Sequence, residues 1–379
     1  MDEFERHRKN WKYLYAFFHA TIPPLFNMTY EPIEVEGPIL LVPNHVCAWD
    51  PLLVAMSLKN KQIYYVASEH LFRLGKATEL LNHLVAPIPR RKGTTGADTA
   101  KTMLRHLKNG RSVCVFAEGA QTFDGRTMPI FPATAKLAKR SGATLVTYKI
   151  EGGYLSWPRW ASNLRRGAVH GHPVGVYPPE QLKTMTAQEV EDLIERDIQE
   201  DAFERQKVWP HKYIAGRLAE HLERMVYLCP KCRRVDAMVS KGNRFTCSCG
   251  FSVKFTPMGT FKPSVPFENL AQWEDWQADA LRKREFQHGK ALLFDTGVTL
   301  TEVTTSHEEM VVGRGAMELY EDKLVVAGLE LPLEEITDMS VTRTRLLMLS
   351  FRNKYYEICA EKNANVRKYY EIWAQKHGL

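Results

Sequence analysis

Between residues 39 and 150, short apolar and β-branched runs alternate with helical stretches. The runs lie at 39–42, 63–66, 112–116 and 144–150, with residues 99–107 and 133–139 between them. A parallel strand needs a crossover to bring the chain back to the same end of a sheet. The alternation therefore predicts an α/β domain with a mainly parallel sheet flanked by helices.

Residues 4–26 have a different pattern. Trp11, Tyr13, Leu14, Tyr15, Phe17 and Phe18 are mixed with Arg6, Arg8, Lys9 and Lys12. They predict a helix stopped by Pro23-Pro24, with its aromatics either in a membrane interface or packed on the core. The two can hold together on different faces.

After Glu180 the pattern turns helical and charged, through 187–198 and 214–225, and four cysteines follow between 229 and 249. Residues 291–361 read as consecutive short strands at 291–294, 317–320, 323–326, 347–351 and 355–359. Asn363 is then placed to cap a last helix carrying Val366, Tyr369, Tyr370 and Trp373 on one side. Strands closed by one helix resemble a pleckstrin-homology-like or related small barrel, an architecture that implies no ligand by itself. The expected organisation is an α/β domain with an N-terminal interfacial helix over 1–210, a helical linker over 211–227 and a zinc-ribbon-like module over 228–256. A second helical linker over 257–289 and a small β domain with a C-terminal helix over 290–379 complete it.

Composition narrows the classes. The 379 residues are 44% hydrophobic, enough for two or three cores. The longest apolar runs fall far short of the roughly 20 residues a membrane-spanning helix needs, so a peripheral protein is expected. The formal charge of +7 comes with short basic clusters, Arg90-Arg91-Lys92 and Arg165-Arg166, which suit anionic lipid or an acidic carrier as well as nucleic acid. The start of the chain has no basic stretch followed by an apolar one, and seven cysteines are too few for a disulfide scaffold at this length. Both point to a reducing, cytoplasmic setting.

Three blocks carry the candidate chemistry. In the first, Asn44-His45 follows a predicted strand, with Asp50 five residues after His45. A carboxylate on one imidazole nitrogen fixes the tautomer and leaves the other nitrogen to take a proton from an alcohol, making His45 the base and Asp50 its orienter. Alone, the pair could equally be a capping histidine and a turn aspartate. In the second block, Arg90, Arg91 and Lys92 follow Pro87-Ile88-Pro89 and precede a flexible Gly-Thr-Thr-Gly stretch. Arginine forks bind phosphate oxygens bidentately, although a solvated basic loop is the plainer alternative. The third block is Phe116-Ala117-Glu118-Gly119-Ala120-Gln121-Thr122 at a predicted strand end. Glu118 could accept hydrogen bonds from glycerol hydroxyls or hold the arginines.

In this order and spacing the blocks resemble the glycerophospholipid acyltransferase family that makes phosphatidic acid from lysophosphatidic acid, over residues 30–180. The resemblance implies base and orienter roles for His45 and Asp50, acceptor and phosphate binding by Asn44, Arg90, Arg91, Glu118 and Gly119, and an acyl thioester attacked directly by the hydroxyl. Cys47 is then packing rather than a nucleophile. Ala117 stands where the family usually has proline, Ala120-Gln121 where it has threonine and arginine, and Thr147 where it has a further proline. Without that arginine, Arg91, Lys92 or Arg126 would have to bind the head group, or the acceptor would carry a different one.

Cys229-Pro230-Lys231-Cys232 and Cys247-Ser248-Cys249-Gly250 are two tight cysteine pairs separated by fourteen residues. Four thiolates so spaced predict a closed, structural Zn(II) site rather than a catalytic one, the alternative being free or redox-active thiols. Arg233, Arg234, Lys241 and Arg244 surround it, but few aromatics interleave them, so no nucleic-acid partner is expected. The expected function is transfer of a fatty acyl group from acyl-CoA or acyl carrier protein to a lysophospholipid, 1-acyl-sn-glycerol 3-phosphate first, at the cytoplasmic face of a membrane. The rival readings are a catalytically altered lipid-binding scaffold and a zinc-ribbon nucleic-acid-binding protein.

Overall fold

A strand buried on both faces reads as an unbroken apolar run, and Ile39–Pro43 is the clearest case, with all five residues buried. In the computed structural model, which describes residues 3–59, 61–73, 75–90, 96–264, 266–304, 308–342, 344–360 and 364–378, this run is the second of seven strands in one sheet. The strands are β1 (Met28–Tyr30), β2 (Ile39–Pro43), β3 (Ile63–Ser68), β4 (Ile88–Arg90), β5 (Ser112–Cys114), β6 (Thr144–Glu151) and β7 (Val169–Tyr177). Their order is β1-β7-β6-β2-β5-β3-β4. Every neighbouring pair is parallel except β6 with β7. The expected α/β layout holds. Helices Ala97–Lys108, Ala133–Ser141 and Ala187–Ile198 bury Met103, Leu107, Leu137, Val190 and Ile194 in one core with Leu40, Val42, Val113 and Leu145.

The first helix, Glu3–Phe26, runs through Pro23 and Pro24 instead of stopping at them. It ends two residues after Pro24, where Asn27 takes a left-handed backbone (φ 48). One face is anchored: Trp11 Nε1 donates to the Leu58 carbonyl at 3.0 Å and Tyr15 Oη to that of Met56 at 3.1 Å. The other face leaves Tyr13 and Phe17 71% and 63% exposed.

The chain divides into two compact units, the first ending at Ala215 and the second running from Gly216 to Leu379 apart from short excursions. Residues 211–227 are not a helical linker and hold only the 3-10 turn Leu222–Arg224. His221 takes a left-handed backbone there, and side chains satisfy the backbone in place of helical bonds. Leu218 N–H donates to Asn243 Oδ1 at 2.7 Å and His221 N–H to Ser240 Oγ at 2.8 Å.

In the second unit, β8 (Met238–Lys241), β9 (Arg244–Cys247), β10 (Ser252–Phe255) and β11 (Phe261–Lys262) form an antiparallel sheet in sequence order. The sheet therefore extends into the expected second linker, where the helix covers only Leu270–Arg282. Seven further antiparallel strands follow: β12 (Leu293–Val303), β13 (Glu309–Leu319), β14 (Lys323–Val326), β15 (Leu329–Pro332), β16 (Ile336–Thr342), β17 (Leu346–Phe351) and β18 (Lys354–Cys359). Their order is β15-β14-β13-β12-β18-β17-β16, so the first strand bridges a four-stranded and a three-stranded meander. Helix Arg367–Lys376 closes the sheet through Tyr369 Oη to Asp295 Oδ2 at 2.7 Å and Trp373 Nε1 to the Ile336 carbonyl at 3.3 Å. This is the arrangement expected of a pleckstrin-homology-like domain. The proposed cap Asn363 lies outside the described residues; Asn365 Oδ1 accepts from the first helical N–H, that of Arg367, at 3.0 Å.

Candidate active site

Parallel strands put their carboxyl ends on one edge, and the loops leaving that edge are where such sheets bind ligands. Here β2 leads into Asn44-His45, β4 ends on Arg90 and β5 leads to Phe116 and Glu118. All three blocks thus leave the same edge.

His45 Nδ1 lies 2.7 Å from Asp50 Oδ2. Asp50 is wholly buried at the start of helix Asp50–Ala55, and its carboxylate also accepts from the backbone N–H of Val46 at 2.6 Å and of Cys47 at 3.0 Å. A carboxylate so held fixes Nδ1 as the protonated nitrogen and leaves Nε2 as the acceptor. Cys47 Sγ adds a contact of 3.1 Å to Asp50 Oδ1. Burial, reinforced by the Asp50 charge, pushes this thiol well above its usual range, so it stays a donor rather than becoming a nucleophile. The His45 ring stacks on Phe116, centroids 4.2 Å apart.

Two residues expected to bind the acceptor are committed to the scaffold instead. The Asn44 side chain pairs with β6, donating from Nδ2 to the Ile150 carbonyl at 3.0 Å and accepting from the Ile150 N–H at 2.7 Å. Its amide matches the donor and acceptor of a peptide group, so it ties the loop to the neighbouring strand. Glu118 is buried, with Oε1 accepting from the His45 N–H at 2.6 Å and Oε2 from the Met128 N–H at 2.8 Å. Both oxygens are engaged by backbone. Burial pushes the carboxyl up to about 8 against the pull of these two N–H groups.

Gly119 makes the turn that lets Glu118 face inward. It has φ +71, and a Cβ there would come 2.2 Å from the Phe131 ring. Three residues on, the Thr122 N–H donates to the His45 carbonyl at 2.8 Å and ties the loop back.

The basic candidates separate. Arg90 stands on β4, with β5 and β3 between it and β2, which puts about 14 Å between the strand axes. Its guanidinium lies beside Gly96, ahead of helix Ala97–Lys108. Arg91 and Lys92 lie outside the described residues. Arg126 is paired with Asp124. One contributor carried no signal in the blocks: Arg159, whose Nη1 donates to the Gln121 carbonyl at 2.8 Å while its guanidinium sits 3.8 Å over the Phe123 ring. Thr147, at the expected proline position, is buried and donates to Asp197 Oδ2 at 2.7 Å.

Residues 26–151 match the acyltransferase family model, and that span contains the His45 loop, β2 to β6 and the Glu118 clamp. This part of the chain is therefore similar to that family. Among solved structures, the crystal structure of the 1-acyl-sn-glycerophosphate (LPA) acyltransferase PlsC from Thermotoga maritima is similar at 18% identity with a TM-score of 0.41. The match covers 52% of this chain and 83% of that one. No helix among the described residues is long and apolar enough to cross a membrane. Beside the His45 loop, Trp49 lies 5.7 Å from both Phe26 and Trp157, an aromatic cluster next to the candidate base.

The second candidate site is in the other unit. The Sγ atoms of Cys229, Cys232, Cys247 and Cys249 all lie within 4.8 Å of one another, with Cys229 to Cys249 and Cys232 to Cys247 each at 3.7 Å. A tetrahedron with metal–sulfur distances near 2.3 Å has edges of about 3.8 Å, so this donor set can hold a metal ion. Two turns shape it: the Arg233 N–H donates to the Cys229 carbonyl at 2.9 Å, and the Gly250 N–H to that of Cys247 at 3.0 Å. Gly250 has φ +87, a backbone that lets the shorter Cys-x-Cys pair turn as tightly as Cys-x-x-Cys. The Arg234 guanidinium holds the Cys232 thiol down to about 6, towards the ligating thiolate.

Proposed function

We propose that the protein is an O-acyltransferase that moves a fatty acyl group from acyl-CoA or acyl carrier protein to the hydroxyl of a lysophospholipid, first among them 1-acyl-sn-glycerol 3-phosphate. The observation that carries the reading is the 2.7 Å bond from His45 Nδ1 to an Asp50 carboxylate fixed by two backbone N–H groups, inside a stretch that matches the acyltransferase model. His45 Nε2 takes the proton of the acceptor hydroxyl. The oxygen attacks the thioester carbonyl, the C–O bond forms as the C–S bond breaks, and the departing thiolate recovers the proton from the imidazolium. The protein forms no covalent bond to the acyl group.

Arg90, reaching from β4 on the same edge, binds the acceptor's phosphate, with Arg91 alongside. Trp49 and Trp157 offer apolar surface to the chains. The exposed Tyr13 and Phe17, on a helix that also carries Lys9 and Lys12, rest on the cytoplasmic face of a membrane as a peripheral anchor. The four cysteines hold a structural Zn(II), which takes no part in the reaction because all four positions are filled by protein.

Purified protein given lysophosphatidic acid and an acyl thioester should release free thiol. His45→Ala should lower that rate by about 10²- to 10⁴-fold with an unchanged melting temperature. Undiminished turnover in the variant would overturn the mechanism. Running the same assay over phosphate-bearing and neutral lysolipids, with both donor carriers, identifies the acceptor and donor.

A further inference from the structure

A side chain keeps its aim only while its own backbone is held, and one loop holds His45 at both of its peptide groups. The His45 N–H donates to Glu118 Oε1 at 2.6 Å, and the His45 carbonyl accepts from the Thr122 N–H at 2.8 Å. Gly119, with φ +71, turns the chain between these two anchors. Residues 118–122 thus form a bracket around the candidate base.

The outer side of the bracket is fastened from beyond β6. Arg159 Nη1 donates to the Gln121 carbonyl at 2.8 Å, and the guanidinium carbon stands 3.8 Å from the centroid of the Phe123 ring. The two contacts fall on the residues either side of Thr122. A charge-assisted hydrogen bond and a cation over an aromatic face are both directional, so together they fix the orientation of the peptide between them. Tyr154 Oη adds a bond to the Phe123 carbonyl at 3.1 Å. The segment carrying Tyr154 and Arg159 is itself seated on the His45 loop. A Cβ on Gly153 would come 2.6 Å from Val46 Cγ2, a closeness only glycine allows, and the Trp157 ring lies 5.7 Å from that of Trp49.

We infer that Arg159 is a positioning residue for His45. It holds Gln121 and Phe123 so that Thr122 keeps its bond to the His45 carbonyl, and the imidazole keeps its aim at the acceptor hydroxyl. The kinetic consequence rests on the acyl-transfer reading; the hold on the loop is a property of the folded chain. Lysine at 159 could make the bond to the carbonyl or sit over the ring, but its single ammonium lacks the planar fork that does both.

Two measurements on the full-length chain test this. In Arg159→Ala the amides of Thr122 and His45 should exchange about tenfold faster or more, with the exchange of β2 and the melting temperature unchanged. Turnover should fall by about 10- to 10²-fold, the scale of a small misplacement of a reacting group. The loss should lie in kcat, with KM unaltered for phosphorylated and neutral lysolipids alike. Arg159→Lys should fall between the parent and Arg159→Ala in both measurements. Unchanged exchange at Thr122, or faster exchange with an unchanged kcat, would overturn the inference. So would a loss confined to KM for the phosphorylated acceptor, which would make Arg159 a head-group ligand, or a lowered melting temperature with faster exchange throughout β2, which would make it a part of the fold alone. A parent protein that releases no thiol would defeat the acyl-transfer reading instead, and the exchange of Thr122 and His45 would still decide whether Arg159 holds the loop.

Discussion

The His45 loop and the four-cysteine cluster both gather polar side chains around a small space, yet they are held in opposite ways. The loop's partners come from across the sheet: Glu118 is 73 residues from His45 and Ile150 is 106 from Asn44. The cysteines bridge separations of only 20 and 15 residues, on two turns joined by a hairpin. The first site exists only when β2, β5 and β6 have assembled. The second needs little beyond its own segment and an ion.

The largest expected effect concerns the second site. Stripping the metal with a chelator should remove stabilisation on the order of 10 kcal/mol, the scale of zinc binding in small finger modules. Residues 229–262 should then lose amide-exchange protection while the exchange of β2, β5 and β6 is unchanged. The metal content itself, one zinc per chain by elemental analysis, tests the assignment, and protection that survives chelation would erase the contrast between the two sites.

Next comes Asp50→Asn, which keeps the shape but places an amide where four donors converge. The imidazole then loses its fixed tautomer, and turnover should fall by about 10⁴-fold, in line with the cost of such changes in catalytic triads. The chelated protein, by comparison, should keep its acyl transfer at low temperature.

Smallest is Glu118→Gln, which replaces one acceptor oxygen by a donor facing a backbone N–H and should cost about 1–3 kcal/mol. Its pH signature is sharper than its size. Glu118 titrates near 8 in the folded chain against 4.5 for an unperturbed carboxyl. The folded state therefore holds the proton more tightly, and the stability this contributes is fully present below 4.5 and lost as pH rises towards 8. Chemical denaturation across that window should show the decline in the parent chain and a flatter profile in the variant. An unchanged slope would mean that another group sets it.

Reading the chain by pattern succeeded where local chemistry was decisive. β2 announced itself because a buried parallel strand must be apolar on both faces, and all five of its residues are buried; helix Ala187–Ile198 did so because its capping box at Thr186 and Glu189 is local. It failed where the partner was remote. β16 was missed because the register shift between Ile336 and Asp338 breaks the alternation. Residues 214–225 read as a helix until Asn243 and Ser240 supplied other partners for their N–H groups. Asn44 and Glu118 looked like ligand-binding residues because a buried amide and carboxylate cannot declare from sequence which donors they meet.

The sequence by itself determined two groupings: a histidine five residues before an aspartate at a strand end, and four thiols on two short turns, are set by spacing along the chain. Only the tertiary structure decided what holds that pair in place. The Glu118 clamp on His45 and the Asn44 tie to Ile150 depend on which strands become neighbours. That is set by the burial of whole elements, and no single stretch of sequence contains it.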